Sequence, residues 1–312
     1  MIAIVIPYYN YLFFEQTLES LANQTDKRFN VYIGDDCSPS DPHEILSKFK
    51  SLLQITYFRY DKNLGHTSLA KHWNRCVSLI KSESWILILG DDDKLSTDTI
   101  ANFYKNIDEV IALSLSLIRL SSILIDENNN FTSKVYKHEK EELAKDSLLR
   151  KLKSETRSSL TEYIFSKKVF DKFQFKHYPL AWHSDDMAWI DFSENKPIYT
   201  INDSIAYIRF TKNSISGKKE NRELKVEANH IFLNYLLKAN LNYTKSEFNF
   251  LMDRFVLFLK LNKKFNLKSI KFLILATIQR KRPERVFFIF NEYIRYKVNN
   301  FKKKIKGLLK VN

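Results

Sequence analysis

Glycine, proline and cysteine are all scarce in this chain of 312 residues, which holds 5, 6 and 2 of them. So few glycines leave no Gly-rich phosphate loop. Tyr8, Tyr9 and Asn10 stand where a dinucleotide fold would need GxGxxG, and no Walker A loop occurs. The same scarcity excludes low-complexity and collagen-like chains. Cys37 and Cys76 lack CxxC spacing, which fits reduced thiols in a cytosolic protein better than a disulfide scaffold. The seven histidines show no zinc-ligand spacing, HExxH is absent, and there is no GxSxG elbow. No apolar run approaches the roughly 18 residues of a spanning helix. Residues 1–6 are apolar but lack a basic start and are cut by Pro7, so no signal peptide is expected.

Apolar residues are plentiful, at 44% with 14% aromatic, enough for a packed core. The net charge of +14 is unevenly placed. Residues 218–312 hold 23 of the 50 Lys and Arg but 7 of the 36 Asp and Glu, a surplus of +16; the remainder is left at −2. The chain therefore divides into a near-neutral part, 1–216, and a basic part, 217–312.

Apolar runs at 2–6, 29–33, 55–58 and 85–89 predict buried strands. Between them, Phe14, Leu18 and Leu21 predict a helix over 13–23, and Ser40, Asp41, Pro42 and Glu44 a second helix start. A third helix is expected over 67–80, and a fourth from Ser96 or Thr97 carrying Ile100, Phe103, Tyr104 and Ile107. This alternation predicts an α/β fold with a parallel sheet and right-handed crossovers. Segments 113–125 and 131–136 flank DENNN in a hairpin pattern. Short strands follow near Ile198 and Tyr207, and the chain reads as helical from Arg222 onward.

Three polar segments follow strands one, two and four: PYYN (7–10), GDDCS (34–38) and DDD (91–93). In a parallel sheet they leave from one carboxyl edge, where open α/β sheets bind ligands. Three consecutive carboxylates repel one another unless a cation lies among them, so a divalent metal is the natural partner. The plainer alternative is a solvated acidic turn capping the next helix. Gly34 and Gly90, each directly before acids, suggest close approach of a ligand or another strand.

IVIPYYN (4–10), GDDCS (34–38), NLG (63–65), WNR (73–75) and LGDDDKL (89–95) resemble, in order and spacing, the signatures of family-2 glycosyltransferases. HSDD (183–186) resembles that family's later acidic element, and YIR (207–209) with Ser214 its closing loop. The resemblance covers about residues 1–216. It implies a GT-A fold, a Rossmann-like mixed sheet flanked by helices, here with a helical basic C-terminal extension. It also implies inverting transfer of a sugar from a nucleoside-diphosphate donor. Under it, Pro7, Tyr9 and Asn63 line the donor site and Asp36 accepts from a uridine-type base. Asp91 and Asp92 divide the ribose and a Mg²⁺ or Mn²⁺ between them, with Asp93 sharing the metal. Gly90 stands where many members carry the first acid, so which acid meets the ribose stays open. Asp186 matches the general base, Asp185 replaces the more usual Glu, and Arg209 is a phosphate candidate.

Single displacement needs one carboxylate to take the acceptor's proton and a cation to stabilise the departing diphosphate. A helix N-terminus decorated with acids is the alternative for Asp185 and Asp186. Trp182 and Trp189 beside them suit either sugar stacking or the core. Lys71 and Arg75 suit phosphate or solvent, and His66 and His72 read as ordinary surface or hydrogen-bonded histidines. In the tail, Phe287, Phe290, Ile294, Val298, Phe301, Ile305 and Leu308 form one apolar helix face. Arg295, Lys297, Lys302, Lys303, Lys304, Lys306 and Lys310 surround it. Such a helix can lie on an anionic membrane, dock on the protein, or, from charge alone, meet nucleic acid; the apolar stripe favours membrane over nucleic acid. The expectation is a metal-dependent inverting glycosyltransferase, peripheral at the cytoplasmic membrane face. It would act on a lipid-linked glycan in surface polysaccharide synthesis. The rivals are a nucleotidyltransferase, or a non-catalytic membrane- or nucleic-acid-binding protein on a dead transferase fold.

Overall fold

The computed structural model describes residues 1–211, 221–239 and 241–308, with side chains to residue 303. Two compact units are present, Met1–Ala228 and Asn229–Asn312.

The first unit begins as strand–helix alternation: β1 (Ile2–Tyr8), α1 (Phe14–Ala22), β2 (Phe29–Asp35), α2 (His43–Phe49), β3 (Ile55–Arg59), α3 (Gly65–Val77) and β4 (Trp85–Ile88). β1 and β4 are apolar on both faces because helices cover both sides of a parallel sheet. α1 turns Phe14, Thr17, Leu18 and Leu21 inward, the spacing that made it legible. A two-residue β5 (Lys94–Leu95) and α4 (Thr99–Ala112) follow. Next come β6 (Leu117–Ile125), β7 (Glu141–Leu143), α5 (Ala144–Leu152), β8 (Tyr163–Ser166), α6 (Lys167–Phe173), α7 (Ser184–Phe192) and β9 (Pro197–Arg209).

Among the described residues these strands form one mixed sheet in the order β3-β2-β1-β4-β8-β6-β9-β5, with β7 also on β9. β1 runs parallel to both β2 and β4, and β2 to β3. β8 enters antiparallel between β4 and β6. The result is the GT-A-type mixed sheet flanked by helices that the family resemblance implied; the alternation alone had predicted a parallel sheet, and β8 makes it mixed.

Two elements differ from expectation. The expected hairpin reduces to isolated bridges, Ser122 with Tyr136 and Ile125 with Phe131. The two short strands near Ile198 and Tyr207 are one strand, β9. Its pairing with β6 jumps from Leu120–Ile201 to Ser121–Ile205, so residues 202–204 bulge out. The polar bulge is satisfied locally: Asn202 Nδ2 donates to the His138 carbonyl at 2.7 Å, and its Oδ1 accepts from Ser121 Oγ at 3.0 Å.

The second unit is helical: α8 (Arg222–Lys238) from Asn229 on, α9 (Lys245–Leu261), α10 (Leu267–Gln279) and α11 (Glu284–Leu308). Thr244 with Glu247 and Asn266 with Ser269 form reciprocal caps that start α9 and α10. Phe248, Leu251, Phe255, Leu259, Leu273, Ala276 and Ile289 are buried here.

Candidate active site

Because β1, β2 and β4 are parallel, their carboxyl ends lie on one edge. The Asp36 N–H donates to the Tyr8 carbonyl at 3.0 Å, joining the first two ends. Asp91 joins the third. Its Oδ2 accepts from the Tyr9 N–H at 2.8 Å and the Asn10 N–H at 2.7 Å. Two backbone donors of the exposed PYYN turn are thereby satisfied by one carboxylate, which leaves the Tyr9 ring exposed. Pro7, half-buried, is the penultimate residue of β1 and pairs with Gly34 of β2.

The three consecutive acids have three different surroundings. Asp93 faces inward: Oδ1 accepts from the Arg209 N–H at 2.8 Å and Oδ2 from Thr161 Oγ1 at 2.5 Å. Among the described residues, Asp92 receives no donor beyond its own backbone N–H. Burial, then repulsion from Asp93 and Asp91, raises its carboxyl well above the usual range. Burial also pushes Asp91 up to about 6, against the two backbone hydrogen bonds that favour its anion. Gly90 makes this crowding sterically possible, since a Cβ there would meet Asp93 Oδ2 at 2.9 Å and Asp92 Oδ1 at 3.1 Å. The close neighbours of Gly90 are thus the chain's own acids. At Gly34 the close neighbour is Cys76 Sγ.

Arg209, the phosphate candidate, makes several hydrogen bonds within the protein. It donates from Nε to the Asp92 carbonyl at 2.9 Å and from Nη1 to the Asp126 carbonyl at 2.5 Å. Its Nη2 donates to Gln16 Oε1 at 3.0 Å and Asn129 Oδ1 at 2.9 Å. Buried over the Phe13 ring, it braces the acidic turn.

Asp36 organises the opposite side of the edge. Its oxygens accept from the Leu64 and Gly65 N–H groups, each at 2.7 Å, and from Arg75. His72 lies 3.4 Å away and is held neutral, its pKa lowered to about 4 by burial. Asn63 starts this loop and accepts from the His66 N–H at 2.8 Å. Arg75 stacks on the Tyr60 ring. Neighbouring Asp35 holds Tyr57 at 2.6 Å and Arg59 at 2.7 Å, so of the two acids of GDDCS one anchors the 63–65 loop and the other side chains of β3.

Asp185 and Asp186 open α7, preceded by His183 in the left-handed conformation. Asp186 is buried, with Oδ1 2.6 Å from Lys151 Nζ and Oδ2 2.8 Å from His183 Nδ1. Lys151 chiefly, with His183, outweighs burial and holds its carboxyl well below the usual range. Asp185 is only half-buried, and desolvation followed by repulsion from Asp186 pushes it up to about 6. Lys151 also donates to the Ser158 carbonyl at 3.2 Å. Segment 158–163 therefore serves both acid clusters, because Thr161 within it braces Asp93.

Trp189 is core, stacked on Tyr163 at 4.2 Å. Trp182 is half-buried under the Lys225 ammonium, 4.9 Å from its ring. Lys151, Thr161 and His183 were missed as site residues. Among them only His183 carried a signal, its place in HSDD two residues before the acidic pair. Ser214 lies outside the described residues. No group of three or more His, Cys, Asp or Glu side chains arranged for a metal occurs among the described residues.

The profile of Glycosyl transferase family 2 matches residues 3–159, which takes in β1 to β4, the acidic turn and α5. The chain belongs to that family. It is accordingly a glycosyltransferase, and the matched segment includes the strand-end acids Asp36, Asp91, Asp92 and Asp93. No curated protein matches. Among solved structures, residues 1–349 of TarS from S. aureus in complex with UDP-GlcNAc align at TM-score 0.66 and 16% identity, covering 98% of this chain and 92% of that one. A longer S. aureus TarS structure aligns at 0.62 and 18%, covering 96% and 54%. The complex of TarS 1–349 with UDP aligns at 0.54 and 16%, covering 94% and 91%. At these identities the likeness establishes the fold.

Proposed function

We propose that this glycosyltransferase moves a sugar, with inversion, from a UDP-type donor to a hydroxyl of a lipid-linked glycan. It would do so in surface polysaccharide synthesis at the cytoplasmic membrane face. The observation that carries the chemistry is the division of labour among the acids. Asp91 clamps the β1 turn, Asp93 is braced by Thr161 and Arg209, and Asp92 alone keeps its carboxylate uncommitted among like charges. The UDP-GlcNAc held by the S. aureus TarS structure supports a uridine donor.

An anion without donors beside two others fits a divalent cation. Asp92 would hold Mg²⁺ or Mn²⁺, with Asp93 behind it, and the cation would neutralise the departing diphosphate. The chain's own residues do the rest. Asp36 and the Asn63 loop receive the base of the nucleotide, Pro7 and Tyr9 line the donor, and Asp91 reaches the ribose. Asp186 takes the proton of the acceptor hydroxyl, and Lys151 and His183 keep it ionised, the form a base must start from. Arg209, the phosphate candidate, also keeps the acidic turn in place.

A screen of UDP-sugars with and without Mn²⁺, read as donor hydrolysis and thermal stabilisation, tests this. Stabilisation by one UDP-sugar only when Mn²⁺ is present is expected. Indifference to every UDP-sugar would overturn the donor assignment.

A further inference from the structure

We propose that the outward face of α11 docks on an anionic lipid surface. The proposal deepens the membrane placement above and does not depend on which donor is used. Within its own unit, α11 has two apolar faces. One is used internally: Ile289 is fully buried, and the Tyr293 and Tyr296 rings each lie 5.6 Å from Phe265. The other carries Phe287, Phe290, Ile294, Val298 and Phe301, and all five are exposed, Phe287 at 73% and Phe301 at 66%. Their spacing of three and four places them in one line along the helix.

A continuous row of large apolar side chains in water marks an interaction surface. Charge selects the partner. Arg295, Lys297 and Lys302 are exposed beside the row. Glu292, an acid on the same helix, is already engaged by Lys260 and lies 3.5 Å from Arg295. A second copy of this helix would bring cations against cations. A nucleic acid would answer the cations but leave the phenyl rings in water. Anionic headgroups over an acyl boundary answer both, which is how basic amphipathic helices lie in a membrane interface.

The test is flotation of the full-length protein with vesicles of phosphatidylglycerol and phosphatidylcholine, and with phosphatidylcholine alone, at low and high salt. Binding is expected to the anionic vesicles only and to weaken with salt. Phe287→Ser with Phe290→Ser and Ile294→Ser should lower the bound fraction at least tenfold while leaving the melting temperature and UDP-sugar hydrolysis unchanged. Should the triple variant melt early, Phe287→Ser alone, at the most exposed position, is expected to give a severalfold loss without that defect. Wild-type protein that stays in the soluble fraction at low salt would overturn the proposal, as would variants that float like wild type. A wild-type dimer made monomeric by the substitutions would overturn it in favour of self-association. Loss of hydrolysis with flotation intact would count against the transferase assignment and leave this surface standing.

Discussion

Lys151 on α5 and Asp186 on α7 form a largely buried ion pair 2.6 Å long, and its ammonium also holds the Ser158 carbonyl. A buried acid at a helix start needs such a partner to stay ionised. The pair stabilises the fold above the unfolded carboxylate's pKa of about 3.9, and that contribution is lost as pH falls toward the lower folded value.

Replacing Lys151 by Met should therefore move the acid limb of the kcat/KM profile. The cation lowers the Asp186 pKa, so removing it raises that pKa, and the ionised base is lost at a higher pH than in wild type. Lys151→Arg should restore most of the profile. A limb that does not move would remove Lys151 from this role.

Asp186→Asn should keep UDP binding and lose transfer by about two to four orders of magnitude, the usual worth of a general base. Donor binding by calorimetry and transfer rate, measured on the same preparation, separate the two effects. Near-normal turnover would hand the role to Asp185, whose pKa of about 6 lies closer to neutrality.

Asp92→Asn should act in opposite directions on function and stability. Metal-dependent nucleotide affinity should vanish in calorimetry with Mn²⁺ and UDP. The metal-free variant should melt higher than metal-free wild type at neutral pH, because one of three mutually repelling, crowded carboxylates is gone. A lower melting temperature would mean that Asp92 has a donor in solution that the structure lacks.

Gly65→Ala should destabilise the protein by about 1–3 kcal/mol, the range for overpacking, because its Cβ would sit 2.5 Å from Asp36 Oδ2. Urea unfolding measures this. UDP affinity should fall as well, since the Asn63 loop is held to Asp36 at that residue.

Of the four parallel strands, β1, β2 and β4 were legible as short apolar runs buried on both faces, whereas β3, expected to be buried, is a partly exposed edge strand. The acids at their ends were legible because parallel topology sends all such ends to one edge. β9 read as two strands because its bulge, residues 202–204, is polar and breaks the apolar pattern; only its partner β6 makes it continuous. Lys151 and Thr161 gave no signal, since a lysine or threonine acquires its role from what tertiary packing brings to it. The same limit hid the carbonyl and amide oxygens around Arg209, which tertiary packing supplies.

The bond from the Arg209 N–H to Asp93 spans 116 residues of chain. Its consequence lies in synthesis. The acidic turn leaves the ribosome long before β9, the strand that braces it, has been made. Contacts this remote in sequence form late because their loop-closure entropy must be met first. A nascent chain ending at residue 159, where the family profile stops, would carry all three acids of the turn. It would lack both Thr161 and Arg209 to hold Asp93, and would be a fold without a finished site.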